Sequence, residues 1–330
     1  MIGCYITGVL PRPKDLIEVT RAYDRGRVDE KDLERAFDEA TAEVVNAQMA
    51  ADLTYICDGM LKWHDLLRPF TENLGGVTVG SLARWFNNNT FYRIPVVTDK
   101  IVWKKSIAEK WMYVKHLPKN FPWKAIVPAP YTFAKLAENR FYRDKNELMF
   151  DYAKALRSEI ESLAKIGFKY VQLSDPALVY GSNPPSKAME ELGAVREALE
   201  VAVKGVPVKT CLQTFFGDFS RILPEAFDFP VDHLGIDLYE TSFEEIRQYV
   251  FEKGVALGLV DSRNSLIEKL DELVATAKRL LKSIYQSDKH EVFICPNCDL
   301  EFLPWERAKE KIKLIATVAE KLRKEFNDNE

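Results

Sequence analysis

The chain has 330 residues, 47% hydrophobic and 29% charged, with 46 basic and 50 acidic side chains and a net charge of −4. That length can bury a sizeable core without covalent staples and suits either two average domains or one large α/β barrel. The balanced charge excludes a broad basic field for nucleic acid, and no apolar run approaches the ~20 residues of a membrane span. The N-terminus lacks the charged-then-apolar pattern of a leader. Five cysteines, an odd number and scattered apart from one close pair, argue against a disulfide framework and for a reducing, cytoplasmic setting.

In chain order, residues 2–9 read as a buried strand closed by Leu10-Pro-Arg-Pro13, where prolines stop pairing. A long amphipathic helix is expected over 29–49, then a strand over 53–57 ending at Asp58-Gly59, a turn signal. Residues 59–122 form an aromatic-rich excursion, too long for an idle loop and better read as a lid or extra layer. Strands then follow at 124–127, 169–173, 208–212, 233–238, 255–260 and 292–294. Helices are expected at 145–166, 187–203, 242–251, 265–283 and 306–326, with a short helical turn at 218–223. Gly167 suits the stop of the first of these helices.

Eight strands alternating with helices predict a parallel sheet closed as a single (β/α)₈ TIM-type barrel, with residues 1–330 as one domain and the long insertion after the second strand. A doubly wound open sheet is the alternative. Neither GxGxxG after the first strand nor GxxxxGK[ST] occurs, so no nucleotide cofactor is expected. In such a barrel chemistry lies at the C-terminal strand ends. Those ends are Pro11-Arg12, Asp58-Gly59, Pro128-Ala-Pro130, Ser174-Asp-Pro176, Gln213-Thr214, Glu240-Thr-Ser242, Asp261-Ser-Arg263 and Cys295-Pro-Asn-Cys298. The last holds the close thiol pair, half of a metal or redox site where a strand meets a helix.

Taken in order, these segments resemble the cobalamin-independent methionine synthase family, over nearly the whole chain. Gly8-Val-Leu-Pro-Arg12 is similar to the family's Gly-Ser-aromatic-Pro opening, Pro128-Ala-Pro-Tyr-Thr132 to Gly-Pro-Val-Thr, and Gln172-Leu-Ser-Asp-Pro-Ala-Leu178 to Gln-Ile-Asp-Glu-Pro-Ala-Leu. Asp58 stands at a His-Gly-Glu position, and Glu240-Thr-Ser242 and Cys298-Asp-Leu300 also find counterparts. The family is built from two (β/α)₈ barrels and transfers a methyl group from a methylated folate to zinc-bound homocysteine.

The resemblance implies a methyltransferase of methionine formation, or its accessory component, acting on homocysteine and a methyl donor. It places two zinc ligands at Glu240 and Cys298; the close spacing of Cys295 offers a further thiolate, and Cys211 another sulfur unless strand alternation turns it away, the alternative being simply buried cysteines. The family's His-x-Cys ligands fall at Gln213 and Phe215, and the acids that hold the homocysteine amino group at Met60 and Ser174. The His of its Asp-Ile-His-Ser segment has no counterpart in Asp261-Ser-Arg-Asn264. Thr214-Phe-Phe-Gly217 and Gly258-Leu-Val-Asp-Ser-Arg-Asn264 look instead like the family's N-terminal barrel, which has no zinc and assists folate binding. Hence a binding subunit working with a separately encoded zinc-bearing barrel is the alternative to a catalyst. A related barrel acting on another methyl donor or a tetrapyrrole acid is a third reading, because one fold hosts many chemistries.

Arg12, Asp58, Asp175, Asp261 and Arg263 are the substrate-binding candidates. Arginines pair well with folate carboxylates, and buried acids can anchor a small ligand; the bland readings are ion pairs, Arg68 included, and helix caps. Trp85, Phe91 and Tyr92 either stack a pterin or make a small core beneath the excursion, the latter being favoured. His64, His116, His233 and His290 carry no catalytic pattern.

Overall fold

The computed structural model describes residues 1–181, 185–285 and 290–327. Its elements run β1 (Ile2–Cys4), α1 (Lys14–Asp24), α2 (Glu30–Ala50), α3 (Arg68–Asn73), β2 (Leu74–Arg84), β3 (Phe91–Trp103), α4 (Ala108–Trp111), β4 (Trp123–Pro128), α5 (Pro130–Leu136), β5 (Glu138–Asn139) and α6 (Lys145–Ile166). They continue with β6 (Phe168–Ser174), α7 (Pro185–Val203), β7 (Lys209–Gln213), β8 (His233–Asp237), α8 (Phe243–Ile246), β9 (Gly254–Val260), α9 (Leu270–Ile284), β10 (Val292–Pro296) and α10 (Trp305–Asn327).

Seven strands pair in parallel in the order β1-β10-β9-β8-β7-β6-β4. The expected second strand, 53–57, is not a regular strand; it joins the sheet through a single bridge from Ile56 to Trp123. Even so, it reaches both edges. The Thr54 N–H donates to the Cys4 carbonyl (2.9 Å), Ile56 N–H to Pro122 (3.2 Å), and Lys124 N–H to Ile56 (2.8 Å). Pairing beside β1 is interrupted because the Thr54 hydroxyl, not a main-chain carbonyl, accepts the Cys4 N–H. The result is a curled parallel sheet whose two edges face the same short segment.

The strands are apolar on both faces, as sheets covered by crossover helices must be; β8 and β9 are buried throughout. The long helices α2 and α6 start at acidic caps. Asp29 accepts the Asp32 N–H, and Asp144 those of Asn146 and Glu147, satisfying donors left over in a first turn. Gly167, at φ +127°, ends α6 as its position predicts. The helix expected over 242–251 shortens to α8, the one expected from 265 begins only at Leu270, and α1 is an addition.

The excursion is an extra layer. β2 and β3 make a long antiparallel hairpin, to which β5 adds in parallel. Its base is tied to the helical layer by buried Glu159 of α6, which accepts from Trp103 Nε1 and Ser106 Oγ at 2.8 Å and from the Ile107 N–H. Among the described residues, no helix is long and apolar enough to cross a membrane.

Candidate functional site

A belt of buried polar groups connects the C-terminal ends of the parallel strands. Gln172 of β6 donates to the Thr7 carbonyl (2.5 Å) and the Ser174 hydroxyl (2.9 Å). The Thr7 and Ser262 hydroxyls both donate to the Cys298 carbonyl at 2.8 Å. The Ser262 N–H donates to Asn297 Oδ1 (2.8 Å), whose Nδ2 donates to Asp237 Oδ1 (3.2 Å). Asp237 also accepts the N–H groups of Tyr239 and Phe216. Beside it, the Asp175 N–H donates to the Gln213 carbonyl at 2.8 Å. Buried polar atoms ordinarily have partners. Three acceptors of this belt have none among the described residues: Gln172 Oε1, Gln213 Oε1 and Asp175 Oδ2.

Asp175 is fully buried; its Oδ1 accepts the Thr132 hydroxyl at 2.6 Å. Burial raises its carboxyl to about 7, against the smaller opposing pull of the Thr132 bonds. Burial likewise lifts Asp237 to about 6, with its hydrogen bonds opposing. Both acids can therefore gain or lose a proton near neutrality, which is where a group must titrate to exchange protons with a ligand. Asp237 and Asn297 were not singled out in the sequence. The first ends an apolar strand, and the second lies between two more conspicuous cysteines.

Aromatic side chains lie over this belt. Phe216, whose N–H holds Asp237, packs against Phe302 (6.2 Å between centroids) and against Phe86 at the hairpin tip (5.9 Å). Phe86 also meets Tyr180 edge-on at 4.9 Å. Phe86 and Phe216 both have positive φ, +49° and +65°, a conformation that bulky residues adopt only when their surroundings impose it. Trp85 and Tyr92 are buried edge-on against each other as part of the main apolar core, not of a separate small one, whereas Phe91 is exposed.

Past Thr7 lies a cavity of about 600 Å³ lined by Arg12, Trp63, His64, Glu301 and Trp305. Arg12 is positioned there by its Nε bond to the Leu61 carbonyl (3.0 Å) and by the Phe37 ring. Burial, with Asp65 adding to it, raises Glu301 to about 7.

The remaining candidates have structural partners. Asp58 accepts the N–H groups of Met60 and Tyr113. Asp261 accepts the Arg263 N–H, and its carbonyl takes Lys311 Nζ. Arg68 pairs with Glu72, His116 with Asp38, and His233 with Glu291; His290 stacks on Tyr285, while His64 lines the cavity. Deeper inside the sheet, Lys124 donates Nζ to the Ile6 carbonyl (2.7 Å) and lies 3.3 Å from the Tyr5 ring centroid.

Residues 3–321 match the family model described as the catalytic domain of cobalamin-independent synthase. The chain belongs to the cobalamin-independent methionine synthase family. It is 27% identical to a methionine synthase of Sulfurisphaera tokodaii, an alignment covering 93% of this chain and 88% of that one. With a methionine synthase of Saccharolobus solfataricus the identity is 28%, over 97% and 95% of the two chains. The fold is shared with a B12-independent methionine synthase from Shewanella sp. W3-18-1, solved in complex with selenomethionine, at TM-score 0.82 and 20% identity over 99% of each chain. A methyltransferase from Methanosarcina mazei also shares it, at TM-score 0.62 and 12% identity over 97% of this chain and 94% of that one.

The zinc that this family implies needs thiolates, imidazoles or carboxylates converging within roughly 2.0–2.3 Å of one point. The residues present do not fit it. Cys295 packs inside the sheet with Tyr5, Tyr170, Cys211 and Phe293, whereas Cys298 belongs to the main core. Cys295 lies within β10, whereas Cys298 lies beyond its end in the following turn, and the two thiols pack in different clusters. Glu240 is bound instead by Arg263, at 2.7 Å. Gln213 and Phe215 stand where the other ligands are expected. Among the described residues, no three His, Cys, Asp or Glu side chains converge on a metal-sized space. The expected grouping of Glu240, Cys295 and Cys298 is therefore not assembled.

Proposed function

We propose that this protein takes part in methionine formation, binding homocysteine and a methylated folate at the strand-end belt, and relies on a zinc-bearing partner barrel to activate the thiol. We read residues 1–330 as one cytoplasmic domain and the sheet as an eight-stranded barrel, with 53–57 supplying the strand between β4 and β1; the hydrogen bonds of Thr54 and Ile56 to both edges support this. The observation that carries the functional reading is the set of unpartnered buried acceptors at Gln172, Asp175 and Gln213, in a chain of this family.

An ammonium group offers three donors and no acceptor. The homocysteine ammonium thus suits the Asp175 carboxylate and the two amide oxygens, now that Met60 and Ser174 stand where the family has acids. Bound there, an ammonium group gives these acceptors the donors that they lack among the described residues. Arg12, held rigidly at the neighbouring cavity, suits a folate carboxylate, because a guanidinium matches that group in charge and planarity. Phe86 and Phe216 exclude water from above. Zinc in this family lowers a thiol's pKa to make the nucleophile; partner dependence follows from a donor set that does not fit the metal.

The test is transfer of labelled methyl from methyltetrahydrofolate to homocysteine. The purified chain is expected to be inactive alone, even with added zinc, and to stimulate a zinc-bearing barrel of the family. Turnover by the chain alone would remove the partner from the account. No effect on any such barrel would remove the role in methyl transfer.

A further inference from the structure

We infer that Arg263 takes the place of a metal ion at this site, so that a guanidinium fixed by Glu240 supplies the positive charge among Glu240, Asp237 and Cys298. The inference deepens the proposed reading, since it concerns the same strand ends.

The geometry carries it. Arg263 Nη2 lies 2.7 Å from Glu240 Oε1, the residue at the family's carboxylate-ligand position. Its neighbour Ser262 is fully buried and bonded twice to the Cys-Pro-Asn-Cys turn, through N–H to Asn297 and through the hydroxyl to the Cys298 carbonyl. Asn297 is bonded in turn to Asp237. The Glu240 N–H donates to the Asp237 carbonyl, and the Arg263 N–H to the Asp261 carboxylate. These bonds hold the base of the Arg263 side chain against the turn that bears Cys298. Burial raises both the Asp237 carboxyl and the Cys298 thiol, and the nearby Arg263 charge opposes that rise only in part. A carboxylate already engaged by a guanidinium is a poor metal ligand, and a nearby positive charge repels a dication. A guanidinium also keeps its charge across the physiological range, so the substitution is permanent. Arg263 is only about one-third exposed and has five N–H donors in all. Those not spent on Glu240 are free to meet an anionic group of a ligand, such as a carboxylate.

Metal binding is the test, because it does not depend on which reaction the mouth serves. The full chain is incubated with zinc, desalted and analysed for metal; cobalt(II) absorption then reports ligand geometry in variants. Wild type is expected to retain no zinc. One zinc per chain, lost in Cys298→Ser, would overturn the inference. In a chain carrying Gln213→His and Phe215→Cys, adding Arg263→Gln is expected to tighten cobalt binding at least about tenfold and to strengthen its tetrahedral absorption bands. Equal affinity with and without Arg263 would also overturn it. If the combined variants fail to fold, cobalt affinity of Arg263→Gln against wild type in the otherwise unchanged chain decides, a tighter site supporting the inference and equal affinity overturning it. Failure of methyl transfer would leave both metal results unchanged, so the two readings fail separately.

Discussion

Replacing Lys124 by Met removes an ammonium that is 1% exposed inside the curled sheet. Burial lowers its pKa to about 7, despite the opposing pull of Cys211, Cys295, Cys57 and Asp299. In the unfolded chain it titrates near ~10.4. Below pH 7 the lysine is charged in both states and adds no pH dependence. Above pH 7 the native form is neutral while the unfolded form still holds its proton, so stability rises with pH until both are neutral. Between pH 7 and 9 that rise is about 2.5 kcal/mol, at 1.36 kcal/mol per unit. With an unfolding entropy of roughly 0.7 kcal/mol/K for a chain this long, it corresponds to about 4 °C in Tm. Lys124→Met abolishes the rise. It also loses the bond to Ile6 and the contact with Tyr5, whose charge-dependent part is already contained in the lysine's own titration. Tyr5, Tyr170, Cys57, Cys211 and Cys295 all have raised pKa values through burial and act in the opposite sense at higher pH. The quantity to read is therefore the Tm difference between wild type and variant, by calorimetry at pH 7 and pH 9. It should shift by about 4 °C in favour of wild type at pH 9. The same difference at both pH values would mean that native Lys124 keeps its proton up to pH 9.

Gly8→Ala should destabilise by about 3 kcal/mol, because a Cβ there would fall 1.4 Å from Asp299 Oδ1 in a buried turn; an unchanged denaturant midpoint would contradict this. All five cysteines are buried and free, with Cys57 at about 12 and Cys211 at about 11 through burial. None should react with a thiol reagent at pH 7.5 until the chain is unfolded. Because Asp175 titrates near 7 and only its ionised form attracts an ammonium, homocysteine affinity should rise about tenfold from pH 6 to pH 8. A flat profile would place the ammonium elsewhere.

Most parallel strands and most helices were legible in the sequence, since apolar runs and acidic caps such as Asp29 and Asp144 act locally. The hairpin was not. Residues 74–84 are glycine-containing and mostly not buried, so they lack the one-sided apolar alternation that marks a strand packed on a core. Residues 53–57 looked like a full strand, but composition cannot reveal that a Thr54 hydroxyl replaces a main-chain partner. The site was legible in part. Asp175 and Arg263 closely follow strand ends, whereas β1, expected over 2–9, stops at Cys4, well short of Arg12; Asp175 is buried with one oxygen unpartnered among the described residues. Spacing could not show where the cysteine pair packs: Cys295 lies within β10 and Cys298 beyond its end, so the two thiols fall in different clusters. Lys124 and Asp237 were missed because a single charge in an apolar strand looks like an edge residue. Only tertiary structure shows it turned inward.

Calorimetric titration of L-homocysteine into the metal-free chain at pH 8 asks whether the buried acceptors around Asp175 form an amino-acid site. Saturable one-to-one binding is expected, weakening at least about tenfold in Asp175→Asn, since that change removes the charge while keeping the shape. Absence of binding by wild type, or equal binding by a folded Asp175→Asn variant, would contradict it.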